Sequence, residues 1–377
     1  MPWSPGEIAL VRSEFVSFAQ FPTLPFSHLC QRFGISPKTG YKWLHRTEGE
    51  PSAPLTDRSH RPHFSPHRTS ADLEQAVLQV RDANPAWGGR KIARVLRNQG
   101  YVDVPAPSTI TGVLHRHHRI PSPATPARQL WHRFELPTPN ELWQMDFKGP
   151  VPLRYGQCHP LTVLDDHSRF ALCLQACADQ EGQTVQKTLT TVFRRYGLPL
   201  RMCMDNGSPW GHGTPLALTH LGVWLIRLGI TVSHSRPRHP QTQGKEERFH
   251  RTLEVELLRG HPFTSLPQCQ RAFDRWRHKY NYDRPHEALA LEVPLTRYQP
   301  SPRPFPKLLP PIEYSPKDEV RKVQDKGEIS FHGHTVRLSR ALRGYPVGLR
   351  PTIPDGHFDV FFCHQKLTHI DLRDSPK

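Results

Sequence analysis

Proline limits this chain more than any other residue, at 40 of 377 positions. Each proline fixes φ and removes a backbone donor, so regular elements stop where prolines cluster. Three stretches, 51–66, 120–139 and 300–316, mix Pro with Ser, Thr, Arg or His and keep no sustained period. They read as linkers and leave four blocks: 1–50, 66–120, 140–300 and 326–377. No repeat of fixed period is present.

Block 1–50 predicts three helices. Ile8, Leu10, Val11, Phe15 and Phe18 mark the first; Phe26, Leu29, Cys30 and Phe33 mark the second, which Gly34 stops. Ser36 is an N-cap candidate and Pro37 suits the first helical position of the third. Helix, glycine turn, helix is the helix-turn-helix pattern. It would turn Lys38, Thr39, Lys42 and Arg46 toward DNA and pack Tyr41, Trp43 and Leu44 inward. Block 66–120 repeats this plan, with helices over 71–82 and 89–98 and a third after Pro107. Ser108 and Thr109 lie on that third helix, and residues 115–119 form its basic end. It reads as a second DNA-reading unit or as a packing module.

Block 326–377 changes to short alternating runs over 328–331, 335–338, 347–353, 358–362 and 367–372, separated by turn residues. That pattern predicts a small antiparallel β-barrel.

Block 140–300 alternates strands and helices. Strands are expected over 142–147, 161–164, 171–176, 201–204 and 230–232, with helices over 184–196, 216–228 and 245–259. This is the order of a ribonuclease H-like mixed sheet. The fold class is therefore α/β and multidomain, with helix-turn-helix units before the core and the barrel after it.

Net charge is +16, spread as +7, +5 and +4 over 1–139, 140–300 and 301–377. A balance this basic points to a polyanion, because neutralised phosphates release counterions. Neither a basic amphipathic helix nor a membrane-length apolar run is visible, so no membrane partner is expected. The seven cysteines include no C-x-x-C pair. Together with the lack of a secretory leader, this indicates a reducing cytoplasm. The run HRHH at 115–118 reads as a basic solvated face rather than a metal site.

The strings WQMDF, MDNGSPW, HPQTQGKEERFHRTL and YNYDRPHEAL occur in order, after RFGISPKTGYKWL and PAWGGRKIARVL. Together they resemble bacterial insertion-sequence transposases with the integrase-type DDE core shared with retroviral integrases. The resemblance covers nearly the whole chain. It implies that Asp146, Asp205 and Glu247 hold two Mg²⁺ ions, with Mn²⁺ able to substitute. In-line displacement at phosphorus explains the need for acids, since paired hard cations on carboxylates can hold both the attacking and the leaving oxygen.

Forty-one residues separate Asp205 from Glu247, slightly more than relatives carry, and the Gly/Pro-rich stretch from Trp210 can absorb the excess. Glu246 competes with Glu247. On a helix Glu246 falls in the stripe of Phe249, Leu253 and Leu257, and Glu247 on the side of His250 and Glu254; Glu247 is therefore taken as the ligand. Asp165 and Asp166 read as loop-ordering residues, with Arg169 as ion partner. Asn206, Gln241, Gln243, Lys245, Arg248 and Arg251 are the candidate DNA contacts of the core, the two arginines alternatively pairing with Glu247 or Glu254.

The expected activity is binding of the element's terminal inverted repeats, Mg²⁺-dependent end cleavage and strand transfer into target DNA. The partner is double-stranded DNA, and a homodimer or higher oligomer would join two ends. A DNA-binding repressor without catalysis and a nuclease acting on RNA–DNA hybrids are the alternatives. The first leaves the three acids unused, the second leaves the N-terminal units unused.

Overall fold

A computed structural model describes residues 8–20, 24–48, 55–57, 68–120, 135–211, 214, 217–235 and 244–373. The chain divides into two units, Met1–Arg68 and Thr69–Lys377.

The first unit contains α1 (Ile8–Gln20), α2 (Phe26–Arg32) and α3 (Pro37–Glu48). Gly34 ends α2 at φ 66°, and the Ser36 hydroxyl accepts from Thr39 N at 3.3 Å to start α3. Phe15, Cys30 and Trp43 are buried at the centre. Gly40 lets α3 cross closely, since a Cβ there would meet Cys30 Sγ at 2.7 Å and Phe15 at 2.9 Å. Trp43 is buried as expected, but Tyr41 is 48% exposed.

The second unit opens with α4 (Ala71–Ala83), α5 (Gly89–Asn98) and α6 (Pro107–Arg116). Ser70 caps α4 by accepting from Leu73 N at 3.4 Å. The basic end after α6 is neutralised inside this bundle: Arg116 pairs with Glu74 at 2.6 Å and Arg119 with Asp82 at 3.0 Å. The bundle docks on the core through an Arg94–Glu292 ion pair and through Lys279, which donates to Ala83 O at 3.2 Å.

The core strands are β1 (Leu142–Phe147), β2 (Val151–Pro152), β3 (Gln157–Asp165), β4 (Ala171–Cys177), β5 (Arg201–Met204) and β6 (Thr231–His234). β1 lies between β3 and β5, β4 flanks β3, and β6 flanks β5. β1–β3 and β3–β4 are antiparallel, whereas β1–β5 and β5–β6 are parallel, so the sheet is mixed. Helices α7 (Gly182–Tyr196), α8 (His220–Arg227), α9 (Gly244–Leu253) and α10 (Leu266–Tyr282) complete the layers. Alternation along β1 sends Trp143 and Met145 into one core cluster, with Phe193 and Leu225. A second cluster joins Leu164 and Leu174 to Phe249 and Phe273.

Both outer strands are covered by side-chain amides. On β4, Asn281 accepts from Ala171 N at 2.8 Å and donates to Ala171 O at 3.0 Å, while Gln270 accepts from Ala176 N at 2.7 Å. On β6, Gln365 accepts from Val232 N at 2.8 Å and donates to Val232 O at 3.0 Å. These amides satisfy edge groups that would otherwise pair with another strand.

Segment 300–316 is not a free linker. Arg303 donates to Pro199, Leu228 and Gly229 carbonyls, and Ser301 N to Tyr196 O at 2.8 Å. A proline-rich stretch can thus be ordered by capping the carbonyl ends of α7 and α8.

The expected C-terminal barrel is an open sheet. β7 (Glu319–Lys322), β10 (Pro346–Pro351), β11 (His357–Phe362) and β12 (Gln365–Asp371) form four strands in the order β12-β11-β10-β7. β8 (Glu328–Phe331) and β9 (His334–Arg337) form a separate ribbon. The short strands were legible, but closure depends on a stagger between strands that alternation does not encode.

One buried charge at the docking of α5 yields a test. Burial pushes Lys91 down from 10.5 to about 8, helped by Arg284 and opposed by Glu256 and Glu287. Below pH 8 the folded state carries the full cost of this ammonium; between pH 8 and 10.5 the cost fades as the folded form loses its proton. Lys91→Met should stabilise the protein by about 1–3 kcal/mol at pH 7. Thermal or urea unfolding should show the gain shrinking as pH rises through that window; a constant gain would exclude the electrostatic cause.

Candidate active site

The central acid is Asp146, near the end of β1. Its strand register opposes it to Thr162 on β3. On the other side Met145 pairs with Met204 of β5, so Asp205, the next residue, comes level with Asp146. Neighbouring strands lie about 4.8 Å apart, which brings the two carboxylates into one electrostatic field. Burial pushes Asp146 up to about 6; the Phe147 N–H, donating at 2.8 Å, works against this, and Asp205 adds to it. Asp205 itself is exposed. Its Oδ1 accepts from Asn206 N at 2.8 Å and from the Ser235 hydroxyl at 2.9 Å.

The loop after Asp205 closes on itself. Gly207, at φ 122°, and Gly211 exchange backbone hydrogen bonds of 2.7 Å. Trp210 is 4% exposed and stacks on Phe147 with centroids 5.4 Å apart. Asn206 is drawn inward, donating to Ser235 O at 2.8 Å.

Helix α9 crosses this end of the sheet. Glu246 is 1% exposed. Its Oε2 lies 3.1 Å from the Thr162 hydroxyl and 3.7 Å from His250 Nε2, and among the described residues its Oε1 has no hydrogen-bond partner. Burial, then the charge of Asp146, hold this carboxyl well above the usual range. The Thr162 hydroxyl is also 2.9 Å from Asp146 O and 2.9 Å from His250 Nε2. A hydroxyl has one proton to give, so a protonated Glu246 can donate to Thr162 while Thr162 donates to the Asp146 carbonyl. His250 Nδ1 stands 4.0 Å from Asp146 Oδ2. Burial, with Lys148 adding to it, pushes this imidazole down to about 4 and keeps it neutral near pH 7.

The structure thus brings Asp146 and Asp205 together but does not bring Glu247 to them. Glu247 is exposed and, among the described residues, makes none of the hydrogen bonds or ion pairs of the other two acids. The carboxyl that faces Asp146 is Glu246. Among the described residues no group of three or more His, Cys, Asp or Glu side chains is arranged to hold a metal. The donor chemistry nevertheless suits hard cations: two level carboxylates, one raised by burial and by the other's charge, gain from a divalent ion bound by oxygen.

Lys245 is engaged within the fold. Its ammonium is 2.5 Å from Asp166 Oδ1, which also receives Gln144 Nε2 at 2.8 Å. Asp166 therefore pairs with Lys245, and Arg169 with Glu135 at 3.1 Å. Asp165 orders its turn, accepting from Ser168 N at 2.8 Å and Asn140 N at 2.8 Å. Arg248 and Arg251 are exposed, and Glu254 pairs instead with Lys148 at 2.8 Å. Gln241 and Gln243 lie outside the described residues.

On α3, Lys38 and Lys42 are exposed and Thr39 is half-buried. Arg46 turns back to donate to Thr56 O at 2.9 Å, whereas Tyr41 and His45 join the exposed face. Ser108 and Thr109 are exposed at the start of α6. Ser108, Arg90, Lys91 and Glu287 line a cavity of about 430 Å³. The sequence reading missed Thr162 and His250. Thr162 is the lone hydroxyl in the apolar run Leu161–Leu164, and His250 lies one helical turn after Glu247.

Parts of the chain are similar to known proteins. Residues 137–240 and 228–294 match the integrase core domain, 318–376 the C-terminal domain of IS481 family transposases, and 39–114 a homeodomain-like domain. An uncharacterized 31.7 kDa protein of insertion element IS407 from Burkholderia multivorans is 29% identical over 156 residues, 41% of this chain and 54% of its own. An uncharacterized 39.2 kDa protein of IS476 from Xanthomonas euvesicatoria is 29% identical over 150 residues, 40% of this chain and 42% of its own. The chain thus spans about half the length of these curated relatives. A solved HTLV-2 integrase catalytic core in complex with magnesium is 15% identical, with a TM-score of 0.34, over 43% of this chain and 99% of that one.

The mixed sheet and the matched models identify residues 137–294 as an integrase core domain. Residues 318–376 match the C-terminal domain of IS481 family transposases and the relatives above are proteins of insertion elements, so the chain is similar to insertion-sequence transposases built on that core.

The shared hydroxyl gives a test of the site's construction. Thr162→Val keeps the shape but leaves Glu246, His250 and the Asp146 carbonyl without their common partner. It should cost about 1–3 kcal/mol in urea unfolding, and Thr162→Ser should restore most of that. Equal stability of all three proteins would exclude the network.

Proposed function

We propose that this protein binds the terminal inverted repeats of its own element, cleaves the element's ends and joins them to target DNA. The observation that carries the reading is the level placement of Asp146, near the end of β1, and Asp205, just past the end of the parallel strand β5, with α9 across them. Asp146, Asp205 and Glu247 would hold two Mg²⁺ ions, with Mn²⁺ as substitute. When bound, the ions polarise the phosphodiester and activate the attacking water or 3′-hydroxyl.

The chain's own contribution is placement. Phe147 N–H and the Thr162 network fix Asp146, and Ser235 and Asn206 fix Asp205. Glu247 is supported as the third ligand by its place one turn before His250, whose ring reaches Asp146. Residues three apart share a helix face, so a modest movement of α9 would carry Glu247 toward the pair. The buried Glu246 would stay behind Asp146 as part of its support. No protein nucleophile is required.

Residues 1–50 and 66–120 would read end DNA through Lys38, Thr39, Lys42, Ser108 and Thr109. Arg248 and Arg251 would meet phosphates near the site, with Asn206, Gln241 and Gln243 in the loops around it. Arg46 and Lys245, engaged with Thr56 and Asp166, would act by holding those surfaces. The core would occupy 140–300 and a C-terminal sheet domain 326–377. Joining two ends calls for at least a dimer, and cytoplasmic action on the nucleoid follows from the substrate.

Purified full-length protein with Mg²⁺ should nick duplexes carrying its element's end, and chelation should stop it. Asp146→Asn and Asp205→Asn should each lower the rate at least about a hundredfold while end binding persists. Glu247→Gln should match them, and Glu246→Gln should retain cleavage. The reverse order for the two glutamates would move the third ligand to Glu246, and binding without any metal-dependent nicking would favour the repressor reading.

A further inference from the structure

The turn joining β2 to β3 projects beyond the active-site end of the sheet. β3 runs antiparallel to β1, so going back from Thr162 toward residue 155 follows the direction in which β1 leaves Asp146. The turn is rigidly held: Leu153 N donates to Gly156 O at 3.1 Å, and Arg154 N to Phe263 O at 3.0 Å. Leu153 also forms a bridge with Phe263, which is 6% exposed in the second core cluster. From this fixed tip Tyr155 stands out at 79% exposure, with the Arg154 guanidinium 5.5 Å from its ring centroid. Arg259 and His261, on the segment that holds the turn, are exposed as well. Among the described residues neither Arg154 nor Arg259 has an acidic partner.

Folding does not account for this arrangement. An aromatic ring left in water gains nothing from the hydrophobic effect, and two arginines without acids add repulsion. A partner with flat π faces and a regular negative charge suits both features, because bases stack on aromatic rings while arginines meet the backbone.

We propose that Arg154, Tyr155, Arg259 and His261 form a ridge that grips duplex DNA beside the reacting phosphodiester, with Tyr155 stacking on or wedging between bases. This rests on the transposase reading above. Thr162 lies seven positions along the chain from Tyr155, mostly along β3, on the order of 20 Å at strand rise. At a rise of about 3.4 Å per base pair, the contact falls roughly six base pairs from the reaction.

The test is metal-free binding of the full chain to end-bearing duplexes, followed by fluorescence anisotropy. The DNA extends three or ten base pairs past the reacting phosphodiester, either inward along the element or outward into flanking DNA. Wild type should bind the longer DNA about tenfold more tightly on one side only, which identifies the side gripped. Tyr155→Ala should remove most of that gain, and Tyr155→Trp should keep it. The Arg154→Ala/Arg259→Ala double variant should lower the salt slope by about one to two phosphates. Binding of the duplex that extends only three base pairs past the phosphodiester should be unchanged in all variants.

Equal affinity of wild type for short and long duplexes overturns the proposal. So does a Tyr155→Ala defect of the same size on both lengths, which would mark a structural role. Failure of wild type to nick DNA in Mg²⁺ would instead count against the transposase reading and leave this length dependence as a separate result.

Discussion

The register between β1 and β5 governs this molecule. Two acids far apart in sequence meet because Met145 pairs with Met204, making Asp146 and Asp205 neighbours across a parallel ladder. A one-residue slip would turn one of them to the other face of the sheet. The apolar alternation of β1 prevents that slip, since Trp143 and Met145 are fully committed to the core on the opposite side. Hydrophobic burial thus holds two like charges together that would repel if free. The cost appears at Asp146, which burial and its neighbour's charge push up to about 6.

Beneath that pair the protein uses uncharged or neutralised groups. Thr162 is shared by three polar partners, His250 is kept neutral by burial, and the buried Glu246 is held well above the usual carboxylate range. A full negative charge at Glu246 would add repulsion to the two acids already present. Lys245 is tied to Asp166, just after β3, and fixes the start of α9. The helix that crosses the acids is therefore anchored by an ion pair at one end and by Phe249 and Leu253 along its buried stripe.

Much of this was legible in the sequence, and the gaps have physical causes. Strand 142–147 and strand 201–204 appear where alternation and the following turn place them, and the mixed order of the core strands follows. Helix α10 was not anticipated. Cys269, Ala272, Phe273, Trp276 and Tyr280 do form a helical stripe, but Arg271, Asp274, Arg275, Arg277 and Lys279 interrupt it. The stripe that sets Glu246 apart from Glu247 was readable too, yet which glutamate faces Asp146 depends on how α9 is rotated over the sheet. Lys245 and Arg46 looked like free cations because Asp166 and Thr56 come to them only through tertiary structure. At the end of α6, Arg116 and Arg119 likewise meet Glu74 and Asp82 only in the folded bundle.

The amides of Asn281, Gln270 and Gln365 have a consequence for how copies of this chain can meet. By pairing with the backbone of the outer strands β4 and β6, they remove the template on which a second chain could zip on a strand of its own. A strand added at either edge would first have to displace a side-chain amide, so joining copies through these edges carries a cost that helix faces and loops do not impose.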